Sequence, residues 1–507
     1  MDEPLAIDGN SLTLDDVAAV AAGRPVRLAP AAAQRMRATN AAVERIVARN
    51  EVVYGVTTGF GKLSEVAIPS DRLAELQVNL VRSHAAGVGP LLPVREVRAL
   101  MLLRANVLAK GYSGARPLLA ELLCAMLNAG LHPSIPEQGS VGASGDLAPL
   151  APLALTLLGE GTLTDRDGTT RPAVEALRAA GLEPVVLGPK EGLTLINGTQ
   201  AHTAVASLAV LEAHRLWQTA HIAGAMSLEA LTGTPVAFDP RIHTARGQLG
   251  QAASAALLRE LLGDSEIRES HRHGDARVQD AYALRCMPQV HGPALDAIDF
   301  AAGLIGRELN AATDNPLVME NGELLSGGNF HGQAVAMALD VLAIALTNLA
   351  TIAERRIDRL VHPDLNEGLP PFLTKDAGVN SGFMMAQVTA ASLASECKVL
   401  SHPASVDTIP TDGNKEDVVP MAMGAAWKLR RVVHNVRHIL AIELMCGAQG
   451  LEFRRPLRAG WGVERAYDAV RRVVEPLGRD RVLSGDIIAL ADAIAAGAFT
   501  GPGGQRS

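Results

Sequence analysis

VAMALDVLAIALTNLATIAERRIDRLV, residues 335–361, decides the fold class. Its first turns are apolar nearly all the way round. A soluble helix with no polar face has to be covered on several sides, inside a helical bundle or a subunit interface. Working outward, the pattern predicts long helices over 199–231, 297–312, 331–361 (which holds this stretch), 380–401 and 421–450. Aromatic residues are only 3% of the chain, while Ala, Leu, Val and Gly dominate. Such side chains suit helix-on-helix packing better than a sheet sandwich. The expected fold is mainly α, a long-helix bundle.

Upstream the elements are shorter. Thr13, with Asp16 three residues on, predicts a capped first helix that stops near Gly23. Pro30 opens a second helix that places Met36, Val43, Ile46 and Val47 on one face. Residues 51–61, EVVYGVTTGFG, read as a loop. From Asp71 to Gly130 the pattern is helical, broken by Gly-rich turns at AAGVGP and GYSGARP. Asp167-Gly168 predicts a small hairpin over 162–172. No internal repeat is found, and the tail GPGGQRS is expected to be disordered.

With 46 basic and 54 acidic residues the net charge is −8, and no basic run carries interleaved aromatics. Nucleic acid is therefore not an expected partner. Cys124, Cys286, Cys397 and Cys446 are widely spaced and form no CxxC pair, which reads as buried thiols in a reducing compartment. The start, MDEPLAIDGN, lacks a basic region followed by an apolar core. The long uncharged stretch 377–395 holds Asn, Ser, Gln and Thr and is a poor membrane span. A cytoplasmic protein without membrane partners is expected. His271-Arg272-His273 has no clear carboxylate partner, so no metal is expected.

The chemistry centres on GSVGASGDLAPLAPLALTLLGEG, residues 139–161. Ala143-Ser144-Gly145 followed by Asp146 reads locally as a loop and a helix start. It also permits backbone cyclisation, because a Gly amide nitrogen can approach the carbonyl two residues back. Loss of the Ser144 hydroxyl would then leave an exocyclic methylene, an electrophile that no ordinary side chain provides. Other loops hold polar residues that simple packing does not need. Tyr54 lies in VVYGVTTGFG, Asn197 in EGLTLINGTQ, and Gln279, Tyr282 and Arg285 in VQDAYALRCMPQVHG. Asn315 lies in ATDNPL, Phe330 in GGNFHG, and Glu416 in NKEDVV. Taken singly, each has an ordinary structural explanation as a turn, a helix entry or a solvated charge.

Their joint order along one chain resembles the aromatic amino acid ammonia-lyase family, from about Leu12 to about Arg458. The most specific match is GSVGASGDLAPL, the family's prosthetic-group motif. The resemblance implies that Ala143, Ser144 and Gly145 cyclise to 4-methylideneimidazole-5-one. It implies Tyr54 as the base for the substrate Cβ proton, with Tyr282 and Glu416 among the catalytic residues. Arg285 would grip the substrate carboxylate through its guanidinium fork. Asn197, Gln279 and Asn315 would surround the electrophile and the carboxylate, and Phe330 would form an aromatic wall.

His84 in NLVRSHAAGVG, and HPASVDTIPT at 402–411, are most similar to the histidine-specific branch. That implies elimination of ammonia from L-histidine to give urocanate, with His84 and Glu416 facing the ring. Tyrosine or phenylalanine as substrate, or a 2,3-aminomutase outcome, are the alternatives. Lys415 stands where many relatives have Gln, Val418 where His is frequent, and Pro420 in place of a Ser. The implied fold is of the ammonia-lyase and fumarase-aspartase type. Its N-terminal portion, 1–197, carries the prosthetic-group loop, and its helical bundle runs over 198–507. The implied assembly is a homotetramer whose neighbouring subunits complete each active site. Only about one free phenol in a thousand is ionised at neutral pH, so positive helix ends or Arg285 are expected to assist Tyr54.

Overall fold

In the computed structural model, which describes residues 3–275 and 277–501, Thr13 caps the helix Leu14–Ala21. Its side chain accepts from the Asp16 N–H, and Asp16 reaches back to the Thr13 N–H. Pro30 opens Pro30–Ala48 as its first residue, where its missing N–H costs nothing. Met36, Val43 and Ile46 are buried from that helix, and Val47 packs beside them. The hairpin forms with Thr162–Thr164 paired to Thr170–Pro172. The tail beyond Gly501 lies outside the described residues.

The fold is mainly α, with long helices Gln200–Ala230, Gln333–Val361 and Ala422–Glu452. Gln333–Val361 is long and apolar enough to cross a membrane by length and composition, yet most of its apolar stretch is buried within the protein. Met384–Leu400 also falls close to its expected bounds. Two elements differ from expectation. The helix expected over 297–312 is Met287–Glu308. Pro288 sits in its first turn, where no N–H is needed, and Pro293 is accommodated in its interior. The helix stops before Asn310, whose amide exchanges two bonds with the Leu12 backbone. The expected turn at AAGVGP contributes to a strand, Val88–Leu91, because Pro136–Gln138 pairs with it.

The chain divides into two units. The first comprises Met1–Leu208, Ala301–Asp340 and Pro403–Trp427; the second comprises Ala209–Phe300, Val341–His402 and Lys428–Ser507. In the second, Arg356 and Glu443 form a fully buried ion pair at 2.5 Å. Ser227 donates to the same carboxylate at 2.8 Å, so the three long helices share one polar contact. An unpaired charge there would be costly. In the first unit, the short helix Glu191–Ile196 and the helix Leu147–Leu157 pack on Leu73–His84. These three elements frame a cavity lined by Leu80, Leu147 and Leu193.

Candidate active site

Ser144 lies in a bend whose geometry depends on glycine. Gly145 has φ +71°, in the left-handed region, and a Cβ there would overlap the Gly198 backbone. The Asp146 N–H donates to Gly198 O at 2.7 Å, tying the bend to the segment that carries Asn197. Asn197 Nδ2 in turn donates to Ser144 O at 2.8 Å, while its Oδ1 is buried without a hydrogen-bond partner. Ala143 is buried. The loop therefore holds a small residue, a hydroxyl and a bare Cα in sequence, with an amide donor on the middle carbonyl. These residues fit a cyclised electrophile formed from Ala143, Ser144 and Gly145.

A cavity of about 510 Å³ opens over Ser144. Tyr54, His84, Asn197, Asn315, Phe330 and Glu416 line it together with Ser144. Each reaches it from a different element. His84 is the last residue of Leu73–His84, and Asn197 follows the helix Glu191–Ile196. Leu147, first residue of its helix, also lines the cavity, so a helix N-terminus borders the site. Glu416 accepts from the Ser144 hydroxyl and, through its other oxygen, from Thr411. Lys415 is exposed, so the Glu416 carboxylate is engaged by hydroxyls while the neighbouring ammonium faces water.

His84 Nδ1 lies 2.8 Å from the Leu80 carbonyl. A carbonyl only accepts, so Nδ1 carries the proton, and in the neutral ring Nε2 is an acceptor. Asn315 Oδ1 accepts from the Gly327 N–H at 2.7 Å. Burial pushes the Tyr54 phenol above its ordinary range, and the carboxylates of Asp412, Glu416 and Asp314 add to this. The Gly61 N–H, on the lining of the same cavity, works the other way. Within this chain the net effect on Tyr54 is thus the reverse of the expected assistance.

Gln279, Tyr282 and Arg285 belong to the second unit, and none is among the residues lining this cavity. Gln279 is exposed, Tyr282 is 70% exposed, and the Arg285 guanidinium lies 4.6 Å from the Tyr282 ring centre. Arg285 Nε is buried without a hydrogen-bond partner. Among the described residues, those lining the cavity include no Lys or Arg.

Several supporting residues have only weak sequence signals. Buried Arg104 donates to the carbonyls of Thr194 and Asn197, at 2.7 and 3.1 Å, and burial brings its guanidinium down to about 10. Lys190 and Asp314 form a buried pair at 2.8 Å, and Asp314 accepts from the Asn315 N–H at 2.7 Å. Asp146 is fully buried; burial opposes its charge, but His202 at 2.8 Å, the His202 N–H and Ser140 hold its carboxyl below the usual range. The Asp directly after Ala-Ser-Gly was a usable signal for that last group. Asp412 also lines the cavity, from a turn whose Asp412-Gly413 pair is a local signal for the turn but not for its place in the site.

The family model described as aromatic amino acid lyase matches residues 12–472. A histidine ammonia-lyase of Anaeromyxobacter sp. (strain K) is 56% identical over 501 residues, covering 97% of this chain and 98% of the relative. Among solved structures, histidine ammonia-lyase from Trypanosoma cruzi aligns at 44% identity with a TM-score of 0.91, covering 98% of this chain and 94% of its own. Tyrosine aminomutase from Streptomyces globisporus aligns at 40% identity and 0.93, covering 98% of each. With a family model over most of its length and relatives this similar end to end, the chain belongs to the aromatic amino acid lyase family.

Proposed function

We propose that this chain eliminates ammonia non-oxidatively from L-histidine to give urocanate, acting as a carbon–nitrogen lyase. The observation that carries this is the cavity in which Ser144, Tyr54, His84 and Glu416 meet. Ala143, Ser144 and Gly145 are the proposed precursors of 4-methylideneimidazole-5-one, and Asn197 holds the middle carbonyl. When formed, that group supplies an electrophilic methylene that turns the substrate amine into a better leaving group. The electrophile is organic and built from the chain, so no metal is required.

The remaining work falls to ordinary side chains. Tyr54 removes the Cβ proton, as a general base held within the cavity. His84 accepts a hydrogen bond from the substrate imidazole through Nε2, and Glu416 faces the same ring. A ring without an N–H leaves His84 unpaired, which selects against phenylalanine. Phe330 and Leu147 give the ring an apolar wall. Asn315 binds beside the carboxylate. The substrate carboxylate needs a cation that the cavity lining lacks. Arg285, with Gln279 and Tyr282 beside it in sequence, is proposed to provide it from a neighbouring copy in a homotetramer. That proximity would also lower the Tyr54 phenol. Partners other than the amino acid and further copies are not needed, and a cytoplasmic enzyme fits the free cysteines.

The test is ultraviolet monitoring of purified protein with histidine, tyrosine and phenylalanine in turn. Urocanate from histidine alone supports the proposal. Deamination of tyrosine without histidine turnover overturns the substrate. The likeness to a tyrosine aminomutase favours one second reading, a 2,3-aminomutase, and a β-amino acid among the products would establish it.

A further inference from the structure

Residues 411–416 form a tight turn closed by Thr411 N–H to Glu416 O at 2.9 Å and Asn414 N–H to Thr411 O at 3.0 Å. Asp412, Gly413 and Asn414 have φ of 47°, 59° and 66°, three left-handed residues in succession. Asp and Asn tolerate that region better than other side chains, but such a run persists only where its surroundings impose it. The turn presents two carboxylates in different directions. Glu416 accepts from Ser144, whereas Asp412 Oδ1 accepts from the Lys62 N–H at 3.3 Å. The Asp412 carboxylate also lies against the bare Cα of Gly61, where a methyl group would collide with it. Gly61, Tyr54 and Asp412 line the same cavity, and the Gly61 N–H favours the Tyr54 phenolate.

We propose that Asp412 is a positioning residue for Tyr54: it pins the Gly61–Leu63 turn that borders the phenol's cavity and sets a negative charge in that same cavity. This rests on Tyr54 acting as the base. Asp412 does two opposing things. Holding the Gly61 N–H in place favours the phenolate, and its own charge disfavours it. The other charged groups around Tyr54 are Glu416 from the same turn and Asp314, whose charge is shared with Lys190. His84 lines the cavity from its helix end, and the Lys62 stem packs on Gly413. None of these makes the contact with the Gly61–Leu63 turn that Asp412 makes.

Asp412→Asn separates the two effects, because an amide oxygen still accepts from Lys62 while the charge is gone. The rising limb of kcat/KM against pH should move to lower pH, on the order of half a unit for a charge open to water. Asp412→Ala removes the acceptor as well and should lower kcat severalfold with less change in KM. The Tyr54 phenol is followed independently by tyrosinate absorbance, as the difference between the chain and Tyr54→Phe. A phenol and a limb that both move in Asp412→Asn support the proposal. A phenol that moves while the limb stays supports Asp412 and refutes Tyr54 as the base. A phenol that does not move overturns the proposal, whatever the limb does.

Discussion

In the proposed reaction, substrate choice rests on His84 and rate on Tyr54. His84 Nδ1 is committed to Leu80, which leaves one nitrogen for the substrate. His84→Leu should lose about 10–100-fold in kcat/KM for histidine, the value of a hydrogen bond to one polar group. Its activity on phenylalanine should rise relative to histidine, measured with both substrates on one preparation. Unchanged preference would place ring recognition elsewhere. Tyr54→Phe should leave binding nearly intact and cut turnover by about 10²–10⁴-fold. Because burial and three carboxylates raise the phenol, activity should climb toward alkaline pH as the phenol loses its proton. Lys415→Gln should be silent with histidine, since Lys415 is exposed and the Thr411 hydroxyl engages Glu416. A clear gain in turnover would show that the ammonium screens Glu416 after all.

Among the elements, the segment before Pro316 depends on a buried charge pair. Lys190→Met strands Asp314 without its cation and should cost about 3–5 kcal/mol in denaturant unfolding. Lys190→Met with Asp314→Asn should recover part of that loss. A single variant that loses under about 1 kcal/mol would show that the pair is dispensable. The same contrast explains what the sequence made legible. Thr13 with Asp16, Pro30 and Asp167-Gly168 announced their elements, because capping and tight turns are local chemistry. Val88–Leu91 was hidden because its strand character comes from Pro136–Gln138, far along the chain. Met287–Glu308 was hidden at its start by two prolines that a helix tolerates only in context. In the site, motif order located the residues around Ser144. Asp412 meets Lys62 from 350 positions away and Arg104 meets Asn197 from 93, and no local pattern encodes such contacts.

At the scale of the whole molecule, one buried acid ties stability to pH. Glu229 accepts from the Gly460 N–H at 2.8 Å, and burial raises its carboxyl to about 7. Between the ordinary carboxylate value and about 7 the folded chain holds a proton that the unfolded chain gives up, so stability falls as pH rises through that window. Glu229→Gln keeps the acceptor and removes the charge. It should raise the thermal midpoint at pH near 8 and change it little near pH 4.5, and equal effects at both would contradict the assignment. The proposed catalysis depends on something larger, a chain that modifies its own backbone. Intact-protein mass of the purified chain and of Ser144→Ala, with histidine turnover measured on the same samples, tests this most directly. The chain should weigh two waters less than its sequence and release ammonia, and Ser144→Ala should lack that full loss and be nearly inactive. A chain at its full sequence mass with undiminished turnover would contradict the account.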